Sequence, residues 1–213
     1  MMSDFLWQSG QTVVMTGDSI TDCGRFGDPQ GLGHGYVRQT VGLVRARYPE
    51  RRLNIINTGI SGHCTDDLQG RWQADVLDHR PDWVTIMIGI NDLHRTKDNV
   101  KDLPPAVFET RYRDLLAQTA ASGARIVVID PFFMCLGDCA DAYCANVLER
   151  LPGYLAVTEK LAAEFGALHV RTQDAWRRVL SVYPAKTWCD EPVHPNADGH
   201  YVMANALLET LGF

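Results

Sequence analysis

The chain has 213 residues, of which 46% are hydrophobic and 22% charged, and its formal net charge at pH 7 is −6. This length suits one domain with a sizeable core, which we expect to span residues 1–213, and the composition is that of a soluble globular protein. The net negative charge argues against a nucleic acid or an anionic membrane as a partner.

The amino terminus shows no basic segment followed by an apolar one. We therefore expect no signal peptide and a cytoplasmic location. The longest apolar run, around Val84 to Ile90, is far shorter than a membrane span. The sequence thus predicts no membrane partner.

Three of the cysteines, Cys135, Cys139 and Cys144, lie close together with spacings of four and five residues. Structural zinc sites usually have a two-residue gap between cysteines and a fourth ligand nearby, and neither is present here. We expect free or occasionally paired thiols, with no metal and no other cofactor. The role and redox state of this cluster stay open.

Strand and helix patterns alternate along the chain. Short apolar and β-branched runs predict five strands, near 12–16, 53–57, 83–88, 125–130 and 168–170. Periodic apolar faces predict helices near 37–48, 68–76, 105–122, 154–165, 175–180 and 197–211. Such repeated strand–helix units predict a parallel sheet between two layers of helices, with right-handed crossovers.

Two regions carry more specific expectations. The segment 135–152 shows the least regular pattern in the chain, and we expect it to be irregular. In the last helix, the buried stripe is expected to consist of Tyr201, Ala204, Leu208 and Leu211.

Polar and glycine-rich segments follow the first three strands: Gly17-Asp18-Ser19, the residues 57–62, and Gly89-Ile90-Asn91-Asp92. Parallel strands end at one edge of the sheet, where ligands bind in folds of this class. A fourth segment, 190–196, contains His194 and precedes the last helix. Together they supply the hydroxyl, imidazole, carboxylate and hydrogen-bond donors that acyl transfer needs. Taken alone, Ser19 could equally cap a helix and Asn91 could make a turn.

In their order along the chain, four blocks resemble the SGNH (GDSL-type) hydrolase family: Gly-Asp-Ser-Ile-Thr at 17–21, Gly62, Gly-Ile-Asn-Asp at 89–92, and Val-His-Pro-Asn at 193–196. Longer stretches resemble its carbohydrate acetylesterase branch, especially the acetylxylan esterases; these are 20–25, Arg71-Trp72 and 81–92. The family implies a flavodoxin-like, three-layer αβα fold with a five-stranded parallel sheet. The sequence contains no Gly-x-Ser-x-Gly motif, which argues against the α/β-hydrolase fold, another fold that supports serine ester hydrolysis.

By this resemblance, Ser19 is the nucleophile and His194 the general base. The backbone N–H groups of Ser19 and Gly62 and the side-chain amide of Asn91 would form the oxyanion hole. The family places an aspartate three residues before the histidine, where this chain has a glutamate, Glu191. A glutamate can orient an imidazole if its extra methylene is accommodated. The spacing favours Glu191 over Asp190, the adjacent alternative.

These residues predict a serine esterase that removes acetyl groups from a carbohydrate such as an acetylated xylo-oligosaccharide. The alternatives are a lipid or thioester hydrolase, which would need an apolar acyl groove, and a non-catalytic sugar-binding module, which the intact site residues disfavour. A homo-oligomer is compatible with the sequence. Several side chains could line the pocket or lie on the surface: His34, His63, His94 and Arg95. Trp83 and Trp176 are expected in the core or at a subunit contact.

Overall fold

The computed structural model describes residues 5–135 and 141–213, and its strands form one parallel sheet. The strands are β1 Thr12–Gly17, β2 Asn54–Asn57, β3 Trp83–Met87, β4 Arg125–Ile129 and β5 Leu168–Val170. They are ordered β2-β1-β3-β4-β5, with every neighbouring pair parallel. This is the flavodoxin-like order. The expected α/β fold with a five-stranded parallel sheet is confirmed.

Helices cover both faces of the sheet. They are α1 Ser19–Asp22, α2 Tyr36–Arg47, α3 Thr65–Asp75, α4 Ile90–Lys97, α5 Pro105–Ala121, α6 Ala142–Glu164, α7 Thr172–Leu180 and α8 Ala197–Thr210. In one layer α2 and α7 pack against α8, and in the other α5 packs against α3 and α6. Because both faces are covered, all residues of the central strand β3 are buried. No helix in the described residues is both long and apolar enough to cross a membrane.

Two tryptophans confirm where the core lies. Trp83 and Trp176 are both fully buried, as expected. The indole N–H of Trp83 donates to Gln11 Oε1 at 3.1 Å, and the guanidinium of Arg125 lies 4.1 Å from the centre of its ring. Trp176 packs against Phe132 with ring centroids 5.3 Å apart.

Helix α6 corrects the sequence prediction. Residues 142–152, expected to be irregular, form its first half, and the helix expected to begin near 154 begins at Ala142. Asp141 caps the helix by accepting a hydrogen bond from Tyr143 N at 2.8 Å. Residues 136–140, including Cys139, lie outside the described part of the chain.

Pro152 accounts for the difference between the predicted and the observed helix. Proline inside a helix removes one main-chain donor and usually ends or kinks it, yet α6 continues through Pro152. On both sides of the proline, Leu151 and Tyr154 are buried in the core, so packing maintains the helix. The next residue, Gly153, permits close contact with α5: a Cβ there would lie 3.0 Å from Cγ of Pro105.

The buried face of α8 differs in part from the prediction. Ala204, Leu208 and Leu211 are buried as expected, but Tyr201 is 48% exposed. His200 takes the buried position instead. A shift of one residue rotates a side chain by about 100° around a helix, and that moves Tyr201 off the core face.

Candidate active site

The end of β1 places Ser19 at the edge of the sheet. A Cβ at Gly17 would lie 2.2 Å from the carbonyl oxygen of Met87, so only glycine lets β1 end this close to β3. Asp18 then caps α1, because its Oδ1 accepts a hydrogen bond from Ile20 N at 3.0 Å. Ser19 is the first residue of α1 and not its cap. Its hydroxyl is therefore free to bond elsewhere.

Ser19 and His194 lie in direct contact. Ser19 Oγ is 2.7 Å from Nε2 of His194, although the two residues are 175 positions apart in the chain. The other ring nitrogen, Nδ1, is hydrogen-bonded to Oε1 of Glu191. A hydroxyl, an imidazole and a carboxylate in this order form the arrangement in which a base can take the hydroxyl proton.

The carboxylate of Glu191 is held by the turn that it shares with His194. Its oxygens also accept hydrogen bonds from the backbone N–H groups of His194, at 2.7 Å, and Val193, at 2.9 Å. Asp190 is exposed, and its side chain makes no hydrogen bond or ion pair with any described residue. The structure thus brings Glu191, and not Asp190, to the imidazole.

The turn itself is anchored at the start of α8. Cys189 and Pro195 form an antiparallel bridge that closes the segment between them. The next residue, Asn196, caps α8 by accepting from Gly199 N at 3.0 Å. Met134 N donates to Pro192 O at 2.7 Å, which ties the turn to the segment after β4. His194 is therefore fixed from two sides although its side chain is 53% exposed.

Gly62 and Asn91 lie together on the other side of the site. Gly62 has φ +81°, a left-handed conformation that favours glycine. Asn91, in the first turn of α4, donates one amide hydrogen to His63 O at 3.1 Å. Asp22 holds the preceding residue, accepting from Ser61 N at 3.1 Å and from Ser61 Oγ at 2.7 Å. Hydrogen bonds to both sequence neighbours of Gly62, Ser61 and His63, thus fix the position of its peptide group.

Three donors remain available in this region. The backbone N–H groups of Ser19 and Gly62 bond to no acceptor in the described residues. The second amide hydrogen of Asn91 is also unused there. Fixed donors of this kind can stabilise negative charge that develops on an ester oxygen.

Arg71 links the loops that carry these donors. The sequence pattern did not predict this role. Its guanidinium donates to Thr58 O at 2.6 Å, to Gly17 O at 3.2 Å and to Nδ1 of His63 at 3.2 Å. Because Nδ1 accepts, the neutral His63 ring carries its hydrogen on Nε2. Burial, and then the charge of Arg71, lower the pKa of His63. One side chain therefore braces the ends of β1 and β2.

Residues 15–202 match the model of the GDSL-like lipase/acylhydrolase family. The chain belongs to this family. It is 39% identical over 216 residues to an acetylxylan esterase of Geobacillus stearothermophilus, covering 96% of this chain and 95% of that protein. It is also 32% identical over 113 residues to an uncharacterized lipoprotein, YqeF, of Bacillus subtilis (strain 168), covering 49% and 44%. The expected family is confirmed, and the protein is a carboxylic ester hydrolase.

Solved structures agree with this assignment. A mutant of Axe2, an acetyl-xylooligosaccharide esterase from Geobacillus, superposes with a TM-score of 0.89 at 36% identity, covering 98% of this chain and 97% of that one. LAE5, an alpha/beta hydrolase enzyme from the metagenome of Lake Arreo, gives a TM-score of 0.89 at 35% identity, with 98% of both chains covered. Other Axe2 structures are catalytic mutants in which a serine, an aspartate or a histidine is replaced by alanine.

Two buried carboxyl groups lie beneath the site of this GDSL-like acylhydrolase. Burial raises the pKa of Asp18 to about 7, with a smaller contribution from the charge of Asp92. Burial likewise raises the pKa of Asp92 to about 6, against hydrogen bonds from Thr65 that lower it. The capping bond of Asp18 and the Thr65 bonds of Asp92 give both groups structural roles.

A second histidine lies close to a potential nucleophile. Nε2 of His200 is 3.4 Å from Sγ of Cys23. Its Nδ1 accepts from Tyr36 N at 3.1 Å, so the neutral ring has its hydrogen on Nε2 and donates to the sulfur. Burial, and then the charge of His194, lower the pKa of His200 to about 4. This imidazole cannot take a proton from the thiol.

The structure gives the state of five cysteines, and Cys139 lies outside the described residues. Cys135 is disulfide-bonded, whereas Cys23, Cys64, Cys144 and Cys189 are free. Among the described residues, one group could hold a metal ion: Cys64, Asp66 and Asp67. The ammonium of Lys101 already lies 3.0 Å from Asp66 and 3.1 Å from Asp67. Together with the guanidinium of Arg111, which lies 3.4 Å from Asp66, that ammonium offsets the charges of the two carboxylates.

Proposed function

We propose that the protein removes acetyl groups from acetylated xylo-oligosaccharides through an acetyl-enzyme on Ser19. The observation that carries the proposal is the contact chain from Ser19 through His194 to Glu191, in a chain similar over almost its full length to an acetylxylan esterase. The Axe2 catalytic mutants affect the same three kinds of residue, except that an aspartate stands in for the glutamate.

In the first half-reaction, Ser19 Oγ attacks the acetyl carbonyl carbon while Nε2 of His194 takes the hydroxyl proton. The electron pair of the C=O bond moves to oxygen, which the N–H groups of Ser19 and Gly62 and the amide of Asn91 stabilise. The carbonyl then re-forms and the bond to the sugar oxygen breaks. That oxygen takes the proton from His194, and the deacetylated sugar leaves.

In the second half-reaction, water attacks the acetyl-enzyme. His194 takes one proton from the water, and the same donors hold the new oxyanion. Collapse releases acetic acid, which loses its proton to water and becomes acetate, and Ser19 regains its proton from His194. Throughout, Glu191 accepts the Nδ1–H bond, which keeps Nε2 facing Ser19 and stabilises the imidazolium.

The main alternative is a lipid or thioester hydrolase acting through the same residues. Such an enzyme needs an apolar groove for the acyl chain next to Ser19. A cavity of about 320 Å³ is lined by apolar residues such as Trp7 and Val44 and by three arginines, Arg45, Arg51 and Arg52, but by no candidate site residue. A cytoplasmic location, one domain over 1–213, self-association and the lack of nucleic-acid and membrane partners stay predictions.

A panel of esters tests the proposed function. We expect kcat/KM to be at least about tenfold higher for an aryl acetate than for the matched octanoate, and acetylated xylo-oligosaccharides to be deacetylated. An acyl chain bound in an apolar groove would gain about 0.8 kcal/mol of binding free energy for each buried methylene. A lipid hydrolase should therefore have the higher kcat/KM for the octanoate. A higher kcat/KM for the octanoate would therefore replace this proposal by the alternative.

Asn91→Ala tests the oxyanion hole. Loss of one fixed donor typically costs about 10²–10³ in kcat, and we expect a loss in that range with KM changed much less. Asn91 also holds His63 O, so Ser61→Ala serves as the matched control. It loosens the same loop by removing a bond to Asp22 but takes away no oxyanion donor, and its loss should be severalfold. If Asn91→Ala keeps more than a tenth of wild-type kcat, Asn91 is not a donor to the transition state.

A further inference from the structure

Arg95 lies beside the proposed oxyanion hole. It is four residues after Asn91 on α4, so both side chains project from the same side of the helix. Its Nη2 would lie 3.8 Å from a Cβ placed on Gly62, and, apart from Gly62 and its chain neighbours, no other atom of the described residues would come within 4 Å. The guanidinium therefore borders the position where the ester carbonyl has to bind.

This guanidinium has no partner in the described part of the chain. Nearby cations do: Lys97 pairs with Asp98, Lys101 with Asp66 and Asp67, and Arg71 with Asp75. The side chain of Arg95 makes no hydrogen bond or ion pair with a described residue. Arg95 is nevertheless half-buried. A partly desolvated cation with five unused N–H donors is suited to an anionic ligand.

We propose that Arg95 is a specificity residue that binds a carboxylate on the substrate, so that the enzyme prefers acetylated xylo-oligosaccharides bearing a uronic acid near the acetyl group. The inference rests on the proposed function and names the substrate class more closely. A guanidinium can hold a carboxylate through two parallel N–H bonds, which a lysine cannot match. With a net charge of −6, the protein as a whole does not attract anions. A preference for an anionic substrate would therefore come from the local charge of Arg95 and not from the charge of the whole protein.

The test compares two substrates with the purified enzyme. One is a neutral acetylated xylo-oligosaccharide, and the other is the same oligosaccharide with a glucuronic acid substituent. We expect the wild type to have the higher kcat/KM for the acidic substrate. Arg95→Gln should lower the acidic-to-neutral ratio of kcat/KM about tenfold, mainly through KM. Arg95→Lys keeps the positive charge but lacks the planar guanidinium, so its acidic-to-neutral ratio should lie between those of the wild type and Arg95→Gln.

Lys97→Gln is the matched control. It removes the same formal charge from the same helix, but the ammonium of Lys97 is already bound to Asp98, so the ratio should stay at its wild-type value. Added salt should lower the wild-type ratio and leave that of Arg95→Gln nearly constant. Equal ratios in wild type and Arg95→Gln would overturn the inference, as would an equal loss on both substrates. If neither oligosaccharide is deacetylated while aryl acetate is cleaved, the proposed function itself fails.

Discussion

Ser19→Ala is expected to lower kcat for acetyl-ester hydrolysis by about 10⁴-fold or more, with a melting temperature close to that of the wild type. The change removes the atom that forms the acetyl-enzyme in the proposed mechanism. Members of a catalytic triad act as a unit, so the loss of one member costs nearly as much as the loss of all three. Stability should change little, because the hydroxyl's one hydrogen bond within the described residues is to a half-exposed imidazole. Steady-state hydrolysis of an aryl acetate and thermal unfolding measure the two quantities.

Ser181→Ala is the control for this substitution. Ser181 directly follows α7, is exposed, and its hydroxyl donates to Arg178 O, so its variant should keep full activity. A wild-type burst of aryl alcohol that disappears in Ser19→Ala would locate the acyl group on this serine. If Ser19→Ala retained more than about 1% of the wild-type kcat, the hydrolysis would proceed without Ser19 and the mechanism would be wrong.

The sheet and its strand ends could be predicted because local sequence determines them. Apolar runs such as Trp83–Met87 have one stable location in this fold, between two layers of helices. The sheet then brings the ends of β1, β2 and β3 to one edge, and the polar segments with them. Each of these strands is defined by the pattern of a short range of the chain.

What the sequence did not predict depends on contacts between distant segments. Arg71 reaches Gly17, 54 positions away, and Asp22 reaches Ser61, 39 positions away. Neither residue belongs to a spacing pattern that would indicate such a bond. The same holds for α6, whose continuation through Pro152 depends on core packing that local propensity does not contain. The unpaired state of Arg95 is also visible only when its surroundings are known.

Glu191→Gln is expected to lower kcat about 10³-fold, and Asp190→Asn less than about threefold. The amide keeps the size of the side chain but has one acceptor oxygen, whereas the carboxylate uses Oε2 for Val193 N and Oε1 for both His194 N and Nδ1. If the amide oxygen keeps the bond to Val193 N, the NH₂ group faces Nδ1 of His194. The ring would then carry its hydrogen on Nε2 and could not take the proton of Ser19, the tautomer error that removes most of the activity in the corresponding serine protease variant.

The two amide variants distinguish the effect of a carboxylate that contacts the imidazole from the effect of one that only lies nearby in the turn. Each removes one negative charge within four residues of His194, but only Glu191 contacts the ring. Glu191→Asp adds a third measurement. It restores the carboxylate with one methylene less, so it should recover much of the activity lost in Glu191→Gln if the turn can move towards the ring. A severe loss in Asp190→Asn beside a mild one in Glu191→Gln would assign the role to Asp190. Equal and mild losses would mean that His194 acts without a fixed acid.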